Sequence, residues 1–261
     1  MRVAAFLACL SLAFAFRPPS KRIMGGTESP VGSRPYQVAL MSSDHGSDQF
    51  CGGVLVHKKW VLTSAHCSQG SKTVYVGLGF TDLKNQAGTQ VIMGTYRPHP
   101  KFDTATYDDD ISLIELEEEA VLNSLVEPIA LARRGSDPAD GTTLLVSGWG
   151  STSGYGSLVW ELMQVDVMVV ERRLCDSWYS GVSITDNMFC AGTSGKDACL
   201  GDSGSPVVSN YDDKVHKPGV VLEGTVSWTW GCNNPGYPGI YMRIANYCDW
   251  LSANSGGDVT C

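Results

Sequence analysis

Nine cysteines in 261 residues constrain this chain more than any other feature. One of them, Cys9, lies in an apolar run from Val3 to Phe16 that follows Arg2 and carries the small-x-small pattern Ala13-Phe-Ala15. A basic residue, a short apolar stretch and such an end mark a secretory signal segment, and the run is too short to span a bilayer. Residues 1–15 are therefore expected to be removed, and Cys9 with them. The remaining eight, Cys51, Cys67, Cys175, Cys190, Cys199, Cys232, Cys248 and Cys261, form an even set. In a secreted chain such a set reads as disulfides, although spacing alone leaves on the order of a hundred pairings open. No Cys-x-x-Cys pair or close His/Cys cluster suggests a metal.

The length allows one large domain or two closely packed smaller ones, either with a substantial core. Glycine is abundant (29) and charged residues are only 18%, which suits a turn-rich β protein better than a helical bundle. Residues 1–22 hold four of the 19 basic side chains and none of the 27 acidic ones, so their loss takes the formal charge from −8 to −12. That balance argues against a nucleic-acid partner. No stretch after the leader is long and apolar enough for a transmembrane helix, so no membrane partner is expected.

Beyond Arg22 the chain alternates short apolar runs with Gly, Pro, Asn and Asp. Tyr36-Gln-Val-Ala-Leu-Met41, Lys72-Thr-Val-Tyr-Val-Gly-Leu78 and Gln164-Val-Asp-Val-Met-Val-Val170 are strand-like in residue type and alternation. A helix is expected only at the end, around residues 244–252. The pattern predicts a mostly antiparallel all-β protein, as barrels or sandwiches, with a C-terminal helix. The polar stretch Arg133-Arg-Gly-Ser-Asp-Pro-Ala-Asp-Gly-Thr142 is the best linker candidate near the middle.

Ser203 stands between an aspartate and a glycine in Asp197-Ala-Cys-Leu-Gly-Asp-Ser-Gly-Ser-Pro206. A serine there is ordinarily a turn former. As a nucleophile it needs a base, and the base needs a third group to orient it. Of the five histidines, four sit among polar loop residues, whereas His66 ends Trp60-Val-Leu-Thr-Ser-Ala-His-Cys67, an apolar strand closing on a cysteine. For the carboxylate, Asp110 opens the apolar strand Asp110-Ile-Ser-Leu-Ile-Glu-Leu116 and is better placed for burial than Asp108 or Asp109.

Together with Ile23-Met-Gly-Gly26, Ser147-Gly-Trp-Gly150, Asp186-Asn-Met-Phe-Cys-Ala-Gly192 and Ser227-Trp228, in that order along the chain, these motifs resemble the trypsin/chymotrypsin family of serine endopeptidases from Ile23 to about Leu251. The resemblance implies two packed six-stranded antiparallel β-barrels, at roughly 35–128 and 140–243, followed by the helix. It implies His66 as general base and acid, Asp110 as its orienting carboxylate and Ser203 as nucleophile, with the N–H groups of Gly201 and Ser203 as oxyanion donors. It also implies a propeptide at 16–22, cut after Arg22 by an activating protease, and pairing of the new Ile23 amino group with Asp202. The mature domain is then 23–261. Protein or peptide substrates, proteinaceous inhibitors, a monomeric state and no cofactor complete the expectation.

The same resemblance pairs Cys51 with Cys67, Cys175 with Cys190 and Cys199 with Cys232, and leaves Cys248 and Cys261 to pair as the remainder. Leu144 and Ser209 occupy both ends of a family bridge that is absent here. The specificity pocket is expected from Asp197, Ala198, Ser227, Trp228, Thr229 and Gly239. A carboxylate at 197 implies cleavage after arginine or lysine, and Ala198, where many relatives have serine, favours arginine because guanidinium binds a carboxylate bidentately. Thr229 replaces a glycine at the pocket mouth, which keeps an elastase-like specificity open. A protease-fold binding protein is the alternative of another class. The loop from Leu78 to Gly88 lacks the glutamates that hold calcium in trypsins. Ser205, where the family usually has glycine, either crowds the turn or bonds locally.

Overall fold

Among residues 25–68, 70–151, 159–192, 198–232, 234 and 236–261, described by a computed structural model of the chain, there are fourteen strands and two short α-helices. The expected signal segment 1–15, the propeptide 16–22, and Arg22, Ile23 and Asp197 lie outside the described residues. Strand β1 (Thr27–Glu28) is a short edge piece. Strands β2 (Gln37–Met41), β3 (Gln49–His57), β4 (Trp60–Thr63), β5 (Thr73–Leu78), β6 (Gln90–Pro98) and β7 (Ser112–Leu116) close an antiparallel barrel in the order β2-β3-β4-β7-β6-β5.

After β8 (Ala130–Leu131) come β9 (Thr143–Gly148), β10 (Met163–Val170), β11 (Met188–Ala191), β12 (Pro206–Ser209), β13 (Val221–Trp228) and β14 (Gly239–Arg243). These run β9-β10-β11-β14-β13-β12, and pairing of β12 with β9 closes the second six-stranded barrel. Strand β1 adds to β10 and β8 to β13, the latter in parallel. The expected two-barrel all-β fold is therefore present.

Period-2 alternation explains both barrels. In β10 Val165, Val167 and Val169 are buried in the second barrel's interior while Asp166 and Met168 are not. Strand β2 is buried throughout because its two faces serve different cores. Val38 and Leu40 pack with Val61, Val76 and Ile114 inside the first barrel, and Ala39 and Met41 join the cluster of Val146, Val165 and Phe189. A third cluster, including Tyr36, Leu62, Leu113, Leu145, Val208, Ile240 and Leu251, fills the junction between the barrels and the C-terminal helix. Each fully buried aliphatic side chain contributes roughly 1.5–3 kcal/mol, so the junction is a core in its own right. It holds rigid the floor on which loops of both barrels meet.

Three details differ from the sequence expectation. Residues 244–246 form a 3-10 turn, and α2 (Cys248–Asn254) begins only beyond it. The change from the strand β14 into the helix is absorbed by that tighter turn. The barrel-to-barrel crossing also precedes the polar stretch 133–142. The N–H of Ile129 still donates to Leu55 of β3, and the next two residues already pair with β13, so 133–142 is a surface connection to β9. An unanticipated helix α1 (Arg172–Trp178) starts where the Glu171 carboxylate accepts from the N–H groups of Arg173 and Leu174. Four disulfides join Cys51–Cys67, Cys175–Cys190, Cys199–Cys232 and Cys248–Cys261. No helix of the described residues is long and apolar enough to cross a membrane.

Candidate active site

Ladder register brings the first two groups together. Thr63, the last residue of β4, pairs with Ser112, the first of β7, so the chain leaving one strand lies beside the chain entering the other. His66 sits three residues past Thr63, in a 3-10 turn that the Cys51–Cys67 bridge ties back to β3. Asp110 sits two before Ser112. The result is a double contact, with His66 Nδ1 2.8 Å from Asp110 Oδ2 and the His66 N–H donating to Asp110 Oδ1 at 2.9 Å. Ser227, near the end of β13, donates its hydroxyl to Asp110 Oδ2 as well. Asp110 is fully buried, and these donors replace the water it has lost, while the His66 ring remains 19% exposed. Nδ1 facing a buried carboxylate carries the ring proton, which leaves Nε2 as the acceptor.

The two acids before Asp110 anchor its turn to the second barrel. Asp108 accepts from the Thr185 hydroxyl at 2.7 Å and from Asn187 at 3.0 Å, and Asp109 accepts from Asn187 and the Tyr247 hydroxyl. Tyr107 and Asp109 adopt left-handed backbone angles, φ 57° and 55°. The Tyr107 ring stands edge-on to His66 with centroids 5.6 Å apart. Tyr107 was not anticipated, since nothing in its neighbourhood but the turn-forming aspartates signals its place.

Ser203 comes from the loop preceding β12. Its carbonyl accepts from Gly52 N–H at 2.7 Å, and the next N–H, of Gly204, donates to Val226 at 2.8 Å, so the loop is held by both barrels. Gly204 is required here: its φ is 81°, and a Cβ would lie 2.1 Å from Thr63 Oγ1 and 2.5 Å from the Gly52 carbonyl. His66, Ser203, Tyr107, Ala198, Thr229 and Gly239 line one cleft of about 700 Å³, with Ser227 and Trp228 in its wall. The N–H groups of Gly201 and Ser203 donate to no acceptor among the described residues. Thr229 turns its hydroxyl to within 3.5 Å of the Gly231 carbonyl.

Asp202 points away from the cleft, into the second barrel. It is fully buried, and accepts from the N–H of Gly150 at 2.8 Å and of Cys199 at 2.9 Å. Glycines make its room, because a Cβ on Gly148 or Gly150 would come within 2.4 Å of the carboxylate. That gives Ser147-Gly-Trp-Gly150 its steric reason. Burial pushes the Asp202 carboxyl up to about 6, against the pull of its two N–H donors. Among the described residues no cation forms an ion pair with it.

Ser205 bonds neither as crowding nor as local capping would have it. Its hydroxyl is 3.4 Å from Gln37 Nε2, and Gln37 Oε1 accepts from Ser147 at 2.7 Å, a link running from β12's approach to β2 and on to β9. The space exists because Gly52 has no side chain, since a Cβ there would sit 1.9 Å from Ser205 Oγ. Cys51, His66 and Cys67 cluster closely, but both sulfurs are spent in a disulfide and supply no thiolate to a metal.

Comparison with known proteins gives one consistent result. The family model described as Trypsin matches residues 23–251. The chain is 39% identical over 237 residues to Trypsin Blo t 3 of Blomia tropicalis, covering 88% of this chain and 84% of that one. It is 38% identical over 256 residues to Cationic trypsin-3 of Rattus norvegicus, covering 96% and 97%. To Trypsin-2 of Salmo salar it is 39% identical over 243 residues, covering 92% and 97%.

Proposed function

The chain belongs to the trypsin family and is a serine-type endopeptidase acting on protein substrates, and from that premise we propose that it cleaves after arginine, and less well after lysine, by an acyl-enzyme mechanism with Ser203 as nucleophile. The observation that carries the reading is the His66–Asp110 pair in a cleft that Ser203 also lines.

As Ser203 Oγ attacks the scissile carbonyl, His66 Nε2 takes the hydroxyl proton and the ring becomes cationic beside buried Asp110. The carbonyl oxygen takes up the negative charge, and the unengaged N–H groups of Gly201 and Ser203 receive it. His66 then passes its proton to the leaving amine, the C–N bond breaks, and the acyl group stays on Ser203. A water enters, gives a proton to His66 and attacks the ester carbonyl, after which the bond from the acyl carbon to Ser203 Oγ breaks, His66 returns the proton to Oγ and the acid product leaves. Asp110 orients the ring throughout: its donors, the His66 amide, the His66 ring and the Ser227 hydroxyl, engage both of its oxygens as acceptors.

Asp197 is the proposed partner of the substrate cation. Ala198 offers no hydroxyl beside it, so a lysine ammonium lacks an acceptor that guanidinium does not need. A panel of matched peptides with Arg, Lys, Ala or Val before the scissile bond tests this. Arg above Lys, with Ala and Val negligible, is the expected order. Ala or Val above Arg would establish the elastase-like reading, which Thr229 in the cleft wall favours.

The chain is further proposed to be secreted as a zymogen, with residues 1–15 as signal and 16–22 as propeptide. Four disulfides fit an oxidising compartment. Asp202 supports activation by cleavage after Arg22, since a buried carboxylate with a raised pKa and no cation among the described residues is suited to receive the Ile23 amino group. Protein inhibitors that occupy the cleft as substrates do are the expected regulators.

A further inference from the structure

Strand β3 touches the nucleophile loop at three alternate residues. Gln49 Nε2 donates to the Gly201 carbonyl at 2.9 Å, Gly52 N–H donates to the Ser203 carbonyl at 2.7 Å, and Gly52 leaves space for Ser205. Only the first of these contacts uses a side chain of β3. Gln49 opens β3 opposite Met41, where the register of the β2–β3 pair shifts, and is 3% exposed. The same Nε2 donates to the Cys51 carbonyl at 3.0 Å. Two carbonyls converging on one amide nitrogen settle which way round the amide lies, because the opposite orientation would set Oε1 against two acceptors. Oε1 itself has no partner among the described residues. A buried amide therefore leaves its own acceptor unused in order to hold the carbonyl of Gly201.

That carbonyl needs holding. Gly201 lies at φ 95°, a region open to glycine alone, and glycine is the residue least able to fix its own conformation. Its N–H is one of the two unengaged donors beside Ser203. The disulfide Cys199–Cys232 restrains the loop on the N-terminal side of Gly201, and the Asp202 N–H donates back to Cys199 at 3.0 Å. The second restraint acts on the same planar peptide unit as the Gly201 carbonyl, so the Cys199 carbonyl and the Gln49 amide hold that unit from its two sides, and Gln49 is the one side chain that reaches its oxygen.

We propose that Gln49 is a positioning residue for the oxyanion site, its buried amide fixing the Gly201 carbonyl so that the Gly201 N–H is already set to receive charge from the substrate oxygen. The inference rests on the reading of Ser203 and Gly201 given above. Gln49 touches no reacting atom, so it acts on the charged intermediate and not on substrate binding. An oxyanion donor gains its effect from being in place before the charge develops, and one donor lost outright costs on the order of 10²–10³ in kcat. A loosened donor costs less.

The test is Gln49→Met, which keeps length and bulk but cannot donate. Wild type and variant, cleaved after Arg22, are assayed on the best peptide of the substrate panel. They are then titrated with the peptidyl aldehyde of that sequence, which forms a tetrahedral adduct on Ser203, and with the matched peptidyl alcohol, which fills the same subsites without one. The expected result is a kcat at least tenfold lower with KM within twofold, and aldehyde affinity at least tenfold weaker with alcohol affinity unchanged. Unchanged kcat and aldehyde affinity would overturn the proposal, and so would parallel losses of aldehyde and alcohol binding with a lowered Tm, which is what a merely structural role gives. A wild-type enzyme that binds the aldehyde no better than the alcohol would overturn the reading of Ser203 first, and this inference with it.

Discussion

The first barrel brings its proposed catalytic groups to the cleft on the ends of a paired ladder, whereas the second brings them on loops. His66 and Asp110 lie three residues and two residues from Thr63 and Ser112, which face each other in the β4–β7 register. Ser203, Gly201 and the cleft-wall residues Ala198 and Thr229 stand outside strands, on segments restrained by a disulfide, a buried carboxylate and contacts from the other barrel. Register is inherited from many hydrogen bonds at once, so the base half is preorganised by the fold itself. The nucleophile half depends on a few named restraints and is the half that a single change can disarm.

The comparison breaks most visibly when a reacting group is removed from either side. Ser203→Ala and His66→Ala should each lower kcat by on the order of 10⁶, and Asp110→Asn by on the order of 10⁴, with thermal stability nearly kept, as read by kcat and Tm on the same preparations. A loss confined to the second barrel's serine would mean that the first barrel's pair is not part of the chemistry.

The restraint at Asp202 should show in the uncleaved chain as a pH effect on stability. Its folded carboxyl lies at about 6, above the roughly 3.9 of an unfolded aspartate. The raised value means that the stabilising balance is fully present below about pH 4 and is lost as pH rises through about 6, by about 3 kcal/mol in total. Urea unfolding at pH 4 and pH 7 should therefore show a pH difference that Asp202→Asn removes. No difference between the two proteins would mean that the carboxylate is already paired in the uncleaved chain.

Disulfides sharpen the contrast further. Cys199–Cys232 closes a separation of 33 residues beside the cleft, and Cys248–Cys261 one of 13 at the C-terminal helix. Replacing either pair by alanine should cost about 3–4 kcal/mol of stability, but only loss of the first should also raise KM. Thr229→Gly should raise kcat/KM on arginine peptides by roughly tenfold if the threonine narrows the pocket mouth, with the alanine peptide unaffected. The smallest effect belongs to Ser205→Gly. Its bond to Gln37 is long, so about 1 kcal/mol of stability is expected to go, with kcat unchanged.

What the sequence made legible follows the same division. Strands with clean alternation, such as residues 164–170, stand out because one face of each must be buried, and β10 occupies that stretch with one residue more at its start. His66 and Asp110 are legible because each sits at the end of an apolar run. Helix α1 is not, since seven residues headed by a glutamate cap carry too little periodicity to show. Gln49 and Gln37 are invisible for a different reason. A glutamine near a strand end reads as solvated, and only the packing of one barrel on the other buries it against Gly201 or Ser205. Ser205 likewise makes sense only with Gly52, 153 residues earlier, whose missing side chain it fills.

The most direct test is covalent. The chain cleaved after Arg22 is incubated with a fluorophosphonate, a reagent that reacts with a serine activated by a neighbouring base, and the labelled peptide is identified by mass. One label per chain on Ser203, abolished by His66→Ala and absent before cleavage, is the predicted result. No label on the cleaved chain, or a label on Ser203 that survives His66→Ala undiminished, would contradict the account.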